Sequence, residues 1–250
     1  MLQQLRQRLQ ALQKTAGLES DHGALPLGIA PIDAALGGGL ARGALHEIAA
    51  ASEAHLAAAT GFALGLAAHA QGRLLWLAED MALAESGAPY GPGLDAFGLR
   101  PEHLLTVAAT QRCDLLWAME EALRCRAVHA AIGELRHGAI DMVALRRLSL
   151  AAGESGALAL LLRGAPAGDA STAATRWVVE AAPSFSAPSP ERRGEKENAT
   201  RLAVELVRNR RGPLGAWILE WSDSDERFAL ATHAQPVAAP ALDRPHRKVA

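Results

Sequence analysis

The stretch LPLGIAPIDAALGGGLARGALHEIAAASEAHLA, residues 25–57, is the most informative part of this chain: an apolar strand at 44–50 leads through a short turn into an alanine-rich helix. NTPases of α/β architecture place a glycine-rich phosphate loop ending in Gly-Lys-Ser/Thr at such a junction. Here Leu56 and Ala57 stand where the lysine and the hydroxyl residue belong, and Glu53 adds a negative charge. Leucine cannot neutralise a phosphate and alanine cannot ligate Mg²⁺. The sequence therefore predicts an α/β domain with a degenerate phosphate loop, closed to nucleotide.

No other motif in the sequence supplies a catalytic centre. The three lysines, Lys14, Lys196 and Lys248, all lie outside the central apolar runs. The pair His46-Glu47 lacks the second histidine that a zinc-protease helix requires, since position 50 is alanine. No pair of Cys or His residues has metal-ligand spacing. We therefore expect no catalytic residue, no cofactor and no metal site.

Short apolar runs alternate with helical segments through the middle of the chain. The runs are 44–50, 73–78, 104–109, 127–135 and 157–163, and helical patterns at 52–70, 113–126 and 139–152 lie between them. Unbroken apolar strands separated by helices are typical of parallel strands buried on both faces. The later strands, 175–182, 201–209 and 216–222, alternate apolar and polar residues, which favours antiparallel pairing at the sheet edge. Residues 25–222 are thus predicted to form one α/β domain with a mainly parallel central sheet.

Three segments are predicted to lie outside this packed domain. Residues 1–20 have the pattern of an amphipathic helix, which packs either on the α/β domain of the same chain or on another subunit or partner. Its apolar stripe consists of Leu2, Leu5, Leu9 and Leu12. Residues 183–200 are rich in proline, serine and charge and are predicted to be a flexible loop, while residues 232–250 are predicted to be a disordered tail.

The overall composition is that of a globular protein without a surplus of basic charge. The chain has 250 residues, 50% of them hydrophobic, and a formal net charge of −2. The sequence shows neither an apolar leader nor an apolar run long enough for a bilayer, so we expect a cytoplasmic protein. Cys113 and Cys125 fall in one helical segment, too far apart for a disulfide, and are interpreted as reduced core residues.

Arginines are concentrated beside the predicted loop. Between residues 191 and 211, seven basic residues against four glutamates give a local charge of +3. The arginines expected to contact DNA or a partner are Arg192, Arg193, Arg201, Arg208, Arg210 and Arg211. Guanidinium groups bind phosphate well, so one interpretation is weak, salt-sensitive binding of single-stranded DNA. A solvated charged face is the alternative, because Phe185 is the only aromatic residue in the loop that could stack on a base.

The order of these motifs resembles the RecA recombinase superfamily. In that superfamily a short helix with Asp and Leu, a glycine-rich turn and a strand ending in Glu-Ile lead into the phosphate loop, as residues 25–48 do here. The resemblance continues through WLAED at 76–80, the strand ending at Gly133-Glu134, and LAVELVRNRRG at 202–212. Within that superfamily the chain most resembles the ImuA family. Three features carry this resemblance: the lost phosphate loop, GAPYGPGLDAFGLRPEHLL at 87–105 and RNRRGPLGAWILEW at 208–221.

This resemblance implies a RecA-like three-layer core and a non-catalytic accessory role in SOS-induced translesion DNA synthesis and damage-induced mutagenesis. The implied partners are ImuB and RecA and, indirectly, an error-prone DnaE-type polymerase. Single-stranded DNA and a second copy of the chain are further candidates. Carried over by position, Glu134 stands at the metal-associated carboxylate and Glu79 falls near the catalytic glutamate. Without the lysine, both are interpreted as vestigial or structural.

Two other functions stay open on the sequence alone. A RecA-like or KaiC-like ATPase with an unconventional site would bind ATP in a way that depends on residues 52–55. A cell-division inhibitor of the SulA kind would bind the division GTPase FtsZ. Such an inhibitor would need neither the arginine-rich segment at 192–211 nor the N-terminal helix.

Overall fold

The computed structural model describes residues 22–166, 168, 170–183, 200–222 and 225–231. The helix predicted at 1–20, nearly all of the loop predicted at 183–200 and the tail predicted at 232–250 therefore lie outside the described residues. The strands are β1 (Ala24–Leu25), β2 (Leu40–Ala41), β3 (Leu45–Ala50), β4 (Arg73–Glu79), β5 (Leu104–Ala109), β6 (Val128–Glu134), β7 (Leu158–Arg163), β8 (Thr175–Ala182), β9 (Arg201–Asn209), β10 (Gly215–Ser222) and β11 (Arg227–Leu230). The helices are α1 (Ala30–Ala35), α2 (Leu56–Ala68), α3 (Asp80–Ser86), α4 (Gly91–Asp95), α5 (Arg112–Arg124) and α6 (Met142–Ser155).

A nine-stranded sheet in the order β11-β10-β9-β8-β3-β7-β6-β4-β5 forms the centre of the described fold. Strands β8, β3, β7, β6, β4 and β5 pair in parallel, and β9, β10 and β11 continue the sheet in antiparallel pairs. This arrangement confirms the predicted mainly parallel sheet with antiparallel strands at its C-terminal edge. Strand β8 is the exception among the three late strands, because it is parallel to β3 on one side and antiparallel to β9 on the other.

Helices cover both faces of this sheet, which gives three layers. Along β7, the side chains of Leu158, Leu160 and Leu162 belong to the apolar cluster that contains α2, whereas Ala159 and Leu161 belong to the cluster that contains α5 and α6. Successive residues of a strand point to opposite faces, so a strand between two helical layers needs apolar residues at every position. The unbroken apolar runs of the sequence have this physical cause.

A glycine turn joins α1 to β2, which pairs with β1 in a separate two-stranded antiparallel sheet. The φ angles of Gly37, Gly38 and Gly39 are +72°, +109° and +132°, values that L side chains rarely adopt. At Gly39 a Cβ atom would also lie 2.3 Å from the carbonyl oxygen of Leu25. The three glycines therefore form a turn, as predicted, and only glycine fits against β1.

The prediction that both cysteines are core residues is wrong. Cys113 and Cys125 are free thiols and both are exposed. The core face of α5 is taken by Leu115, Met119 and Leu123, which leaves Cys113 in the first turn on the solvent side. Cys125 follows the last residue of the helix.

Candidate functional site

The turn between β3 and α2 occupies the position of a phosphate loop. Strand β3 ends at Ala50, residues Glu53–His55 form one 3₁₀ turn, and α2 begins at Leu56. Ser52 precedes the turn in an extended conformation, and its side chain makes no capping hydrogen bond. The turn is short and contains no left-handed backbone, because Gln71 and Glu226 are the only non-glycine described residues with a positive φ.

Two backbone donors of this turn, those of Ala51 and His55, are bonded within the protein. The N–H of Ala51 donates to the carbonyl oxygen of Val179 at 2.8 Å, and the N–H of His55 donates to the carbonyl oxygen of Ser52 at 2.9 Å. The imidazole Nδ1 of His55 accepts from the N–H of Ala181 at 3.2 Å. A phosphate loop needs its N–H groups to converge on the anion. Here the turn is attached to β8 instead.

The side chains of the turn do not fit a nucleotide phosphate either. Leu56 and Ala57 hold the positions of the phosphate-binding lysine and the Mg²⁺-ligating hydroxyl, and the exposed Glu53 would repel an anion. The side chain of His55 points to β8, where its Nε2 lies 3.4 Å from Oε1 of Glu180. The residues present therefore do not form an Mg-nucleotide site at the position where the fold would place one.

The carboxylate at the end of β6 is neutralised within the fold. Glu134 is 5% exposed; its Oε1 accepts from Nε of Arg136 at 2.6 Å and its Oε2 accepts from Nε1 of Trp76 at 3.1 Å. Arg136 is also buried, and it donates to the carbonyl oxygen of Ala82 and to Glu85. Both carboxylate oxygens of Glu134 are thus occupied, which supports a structural role rather than metal binding.

The second acidic position at this edge of the sheet is also paired. Oε1 of Glu79, the last residue of β4, lies 3.5 Å from Nε of Arg112, whose Nη1 donates to the carbonyl oxygen of Ala139. The sequence analysis identified both glutamates but missed Arg112 and Arg136. The position of Arg136, two residues after Glu134 at the end of a strand, was the available signal.

A buried histidine in β3 belongs to a fully bonded polar network. His46 is completely buried, with Nδ1 2.8 Å from the hydroxyl of Thr175 and Nε2 2.9 Å from the carbonyl oxygen of Ala41. The carbonyl oxygen of Ala41 can only accept, so Nε2 carries a proton and donates to it. Nδ1 accepts from the hydroxyl of Thr175, whose oxygen in turn accepts from Nε1 of Trp177 at 2.8 Å. Burial is the main cause that lowers the pKa of His46 to about 4, and the charge of Arg211 acts in the same direction. The imidazole is therefore neutral at pH 7.

The predicted arginine cluster is divided between the two ends of β9. Arg201 lies at the end where the parallel strands finish, and its guanidinium is held by Glu220 at 3.0 Å. Arg208 lies at the other end, about 23 Å away at roughly 3.3 Å per residue, with Arg210 and Arg211 just beyond it. Arg192 and Arg193 lie outside the described residues. The structure therefore does not bring Arg201 together with Arg208, Arg210 and Arg211.

The three arginines at the far end of β9 form what we call the amino-edge cluster: Arg208, Arg210 and Arg211. Nη2 of Arg210 donates to the carbonyl oxygen of Ser171 at 3.1 Å. Nη2 of Arg211 lies 3.5 Å from the carbonyl oxygen of Gly37. In the described part of the chain, no carboxylate forms an ion pair with any of the three. Burial and then the charge of Arg208 lower the pKa of Arg210, although a guanidinium stays charged. Like charges without a carboxylate partner are suited to an anionic ligand.

Within the described residues, no group of three or more His, Cys, Asp or Glu side chains is placed to hold a metal ion. The same residues include no helix long and apolar enough to cross a bilayer.

Comparisons with known proteins identify the family. No family model matches the chain. The crystal structure of the RadB recombinase superposes with a TM-score of 0.56, covering 83% of this chain and 99% of that chain at 13% identity. This likeness confirms the RecA-like fold predicted from the sequence. Protein ImuA of Caulobacter vibrioides, strain NA1000 / CB15N, is 32% identical over 222 residues, which cover 82% of this chain and 86% of the relative. The protein of that name in strain ATCC 19089 / CIP 103742 / CB 15 matches equally. The chain therefore belongs to the ImuA family.

Proposed function

We propose that this protein is a non-catalytic RecA-like accessory factor in translesion DNA synthesis and damage-induced mutagenesis within the SOS response. It acts through contacts with ImuB and RecA, reaches the error-prone DnaE-type polymerase indirectly, and touches single-stranded DNA. Family membership supports the biological setting, and the RecA-like fold supports an origin among nucleotide-dependent recombinases.

The observation that carries the non-catalytic part of the proposal is the turn between β3 and α2. Its residues place leucine and alanine at the two positions that contact phosphate and Mg²⁺ in an ATPase, and the N–H of Ala51 is bonded to β8. The pairing of Glu134 points the same way, because a carboxylate held by the buried guanidinium of Arg136 is a poor metal ligand and a poor general base. Glu79 has a guanidinium beside it as well, that of the half-buried Arg112.

The DNA contact is assigned to the amino-edge cluster. Three guanidinium groups without carboxylate partners can each approach a phosphate, whereas Arg201 is already bonded to Glu220. Binding of this type is electrostatic and insensitive to base sequence, so it weakens steeply with salt. Arg192 and Arg193 remain predictions from the sequence, since they lie outside the described residues.

A pull-down of the tagged full chain from cells treated with a DNA-damaging agent tests the proposal. Nuclease treatment of the lysate separates direct protein contacts from proteins that merely share a DNA molecule. After nuclease treatment we expect to recover ImuB and RecA as direct partners, and the polymerase as an indirect one. Recovery of FtsZ without ImuB or the polymerase would instead identify a division inhibitor and overturn the proposal.

A further inference from the structure

The outer surface of α5 and α6 carries large apolar side chains that the core does not use. Trp117 is 60% exposed, Val143 63% and Leu150 57%. Val143 and Leu150 are seven residues apart in α6 and therefore lie on one face of it. A groove of about 150 Å³ lies beside them, lined by Cys113, Leu116, Trp117, Glu120, Ala144 and Arg147. We call Trp117, Val143, Leu150 and this groove the α5–α6 patch.

Exposed apolar side chains grouped in this way indicate a surface that is covered by something else. Burying a side chain of the size of valine or leucine contributes roughly 1.5 to 3 kcal/mol, and a tryptophan beside a groove is typical of a binding surface.

The first described residues show where the N-terminal segment leaves the domain. Nε2 of His22 is 2.8 Å from the carbonyl oxygen of Gly153, near the C-terminal end of α6. The His22 ring also lies against Gly156, where an added Cβ would be 2.8 Å from it. Leu150 comes three residues before Gly153 in α6, which is about 4.5 Å along the helix. The chain therefore enters the described domain at a point close to Leu150.

The length of the N-terminal segment suits the patch. As a helix, the stripe from Leu2 to Leu12 is about 15 Å long, and the distance along α6 from Val143 to Gly153 is about the same. The nine residues from 13 to 21 can span up to about 30 Å when extended. The stripe can therefore reach the patch of its own chain.

Charge favours the same arrangement. Residues 1–14 carry Arg6, Arg8 and Lys14 and no acidic residue. Beside the patch, the three carboxylates of Glu120, Glu121 and Glu154 outnumber the two guanidinium groups that pair with them, those of Arg124 and Arg147. The side chains of Glu121 and Glu154 are 50% and 63% exposed, which leaves them available to further cations.

We propose that residues 1–14 fold back as an amphipathic helix onto the α5–α6 patch of the same chain, with the leucine stripe against Trp117, Val143 and Leu150. The occupant is thus the chain's own N-terminal segment rather than a second copy. Any partner that uses the patch must first displace this helix. The inference does not depend on the proposed function.

The two native cysteines provide the test. Cys113 lines the groove and Cys125 is exposed outside it. In the full chain, the rate of maleimide labelling at Cys113 therefore measures whether the groove is covered, and the rate at Cys125 is the internal reference. A tethered segment has an effective concentration in the millimolar range, so we expect Leu5→Asp/Leu9→Asp to speed Cys113 labelling by about tenfold. Val143→Asp tests the patch side and should give the same result. Labelling of Cys125 should not change.

A matched control separates the apolar stripe from added charge. Gln3→Asp/Gln7→Asp adds the same two charges on the opposite face of the helix, and Cys113 should label at the wild-type rate. The wild-type rate should also be independent of protein concentration in a monomer. An unchanged Cys113 rate in Leu5→Asp/Leu9→Asp would overturn the proposal. Protection that appears only at high concentration, together with a dimer mass, would show that the occupant is a second copy and would also overturn it.

Discussion

The buried imidazole of His46 should make folding sensitive to mild acid. The folded-state pKa is lowered to about 4 by burial, whereas an imidazole in an unfolded chain has a pKa near 6.5. Below about 6.5, the unfolded state therefore binds a proton that the folded state cannot take. The stability contributed by a neutral His46 is fully present above the unfolded-state pKa and is lost as pH falls toward the folded-state pKa.

The size of this effect follows from the two pKa values. Lowering the pH from 7 to 5 should remove about 2 kcal/mol of the free energy of unfolding through this one group, and about 3 kcal/mol by pH 4. The replacement His46→Gln retains an N–H donor that can reach the carbonyl oxygen of Ala41 but cannot titrate. It is expected to be less stable than the wild type at pH 7 and to lose about 2 kcal/mol less between pH 7 and pH 5.

Urea unfolding followed by circular dichroism at both pH values measures this difference directly. All other titrating groups are common to both chains, so their contributions cancel in the comparison. His103→Gln, at an exposed position, is the matched control and should follow the wild type. If His46→Gln and the wild type lose the same free energy between pH 7 and pH 5, the neutral buried network is not what the structure indicates.

Three further results are expected. Glu134→Gln should lower the free energy of unfolding by about 3 kcal/mol in urea titrations, because it leaves the buried guanidinium of Arg136 with only the exposed carboxylate of Glu85. A loss below about 0.5 kcal/mol would contradict the buried ion pair. Gly39→Ala should destabilise more than Gly38→Ala by at least about 1 kcal/mol, since both have positive φ but only Gly39 meets a backbone oxygen; equal melting temperatures would disprove the close approach. In fluorescence anisotropy with single-stranded DNA, Arg208→Ala should weaken binding and reduce the salt slope by about 0.7, whereas Arg201→Ala should have the smaller effect; the reverse order would remove the DNA contact from the amino-edge cluster.

The parallel core was predictable because each strand between two helical layers must be apolar at every position. The run at 157–163 contains only Ala, Leu and a final Arg163, and β7 is buried along its whole length. The alternating pattern of 201–209 and 216–222 likewise indicated strands with one face that is more exposed to solvent. These periodicities are local properties of the sequence, so a single chain reveals them.

The pairing of charged side chains was not predictable from the sequence. Arg112 is separated from Glu79 by thirty-three positions, and only the parallel arrangement of β4 and β5 brings them together. The division of the arginine cluster had a different cause. Residues close in sequence along an extended strand are far apart in space, so Arg201 and Arg208 lie near opposite ends of β9.

Titration calorimetry of the purified full chain with Mg-ATP tests the central claim most directly. The turn between β3 and α2 has leucine and alanine at the positions that bind phosphate and Mg²⁺ in an ATPase, so we expect no saturable binding up to millimolar nucleotide. A RecA-like ATPase with an intact phosphate loop, titrated in the same buffer, serves as the positive control. Saturable binding in the range of about 1 µM to 1 mM that is typical of enzyme substrates, lost when residues 52–55 are changed, would contradict the account.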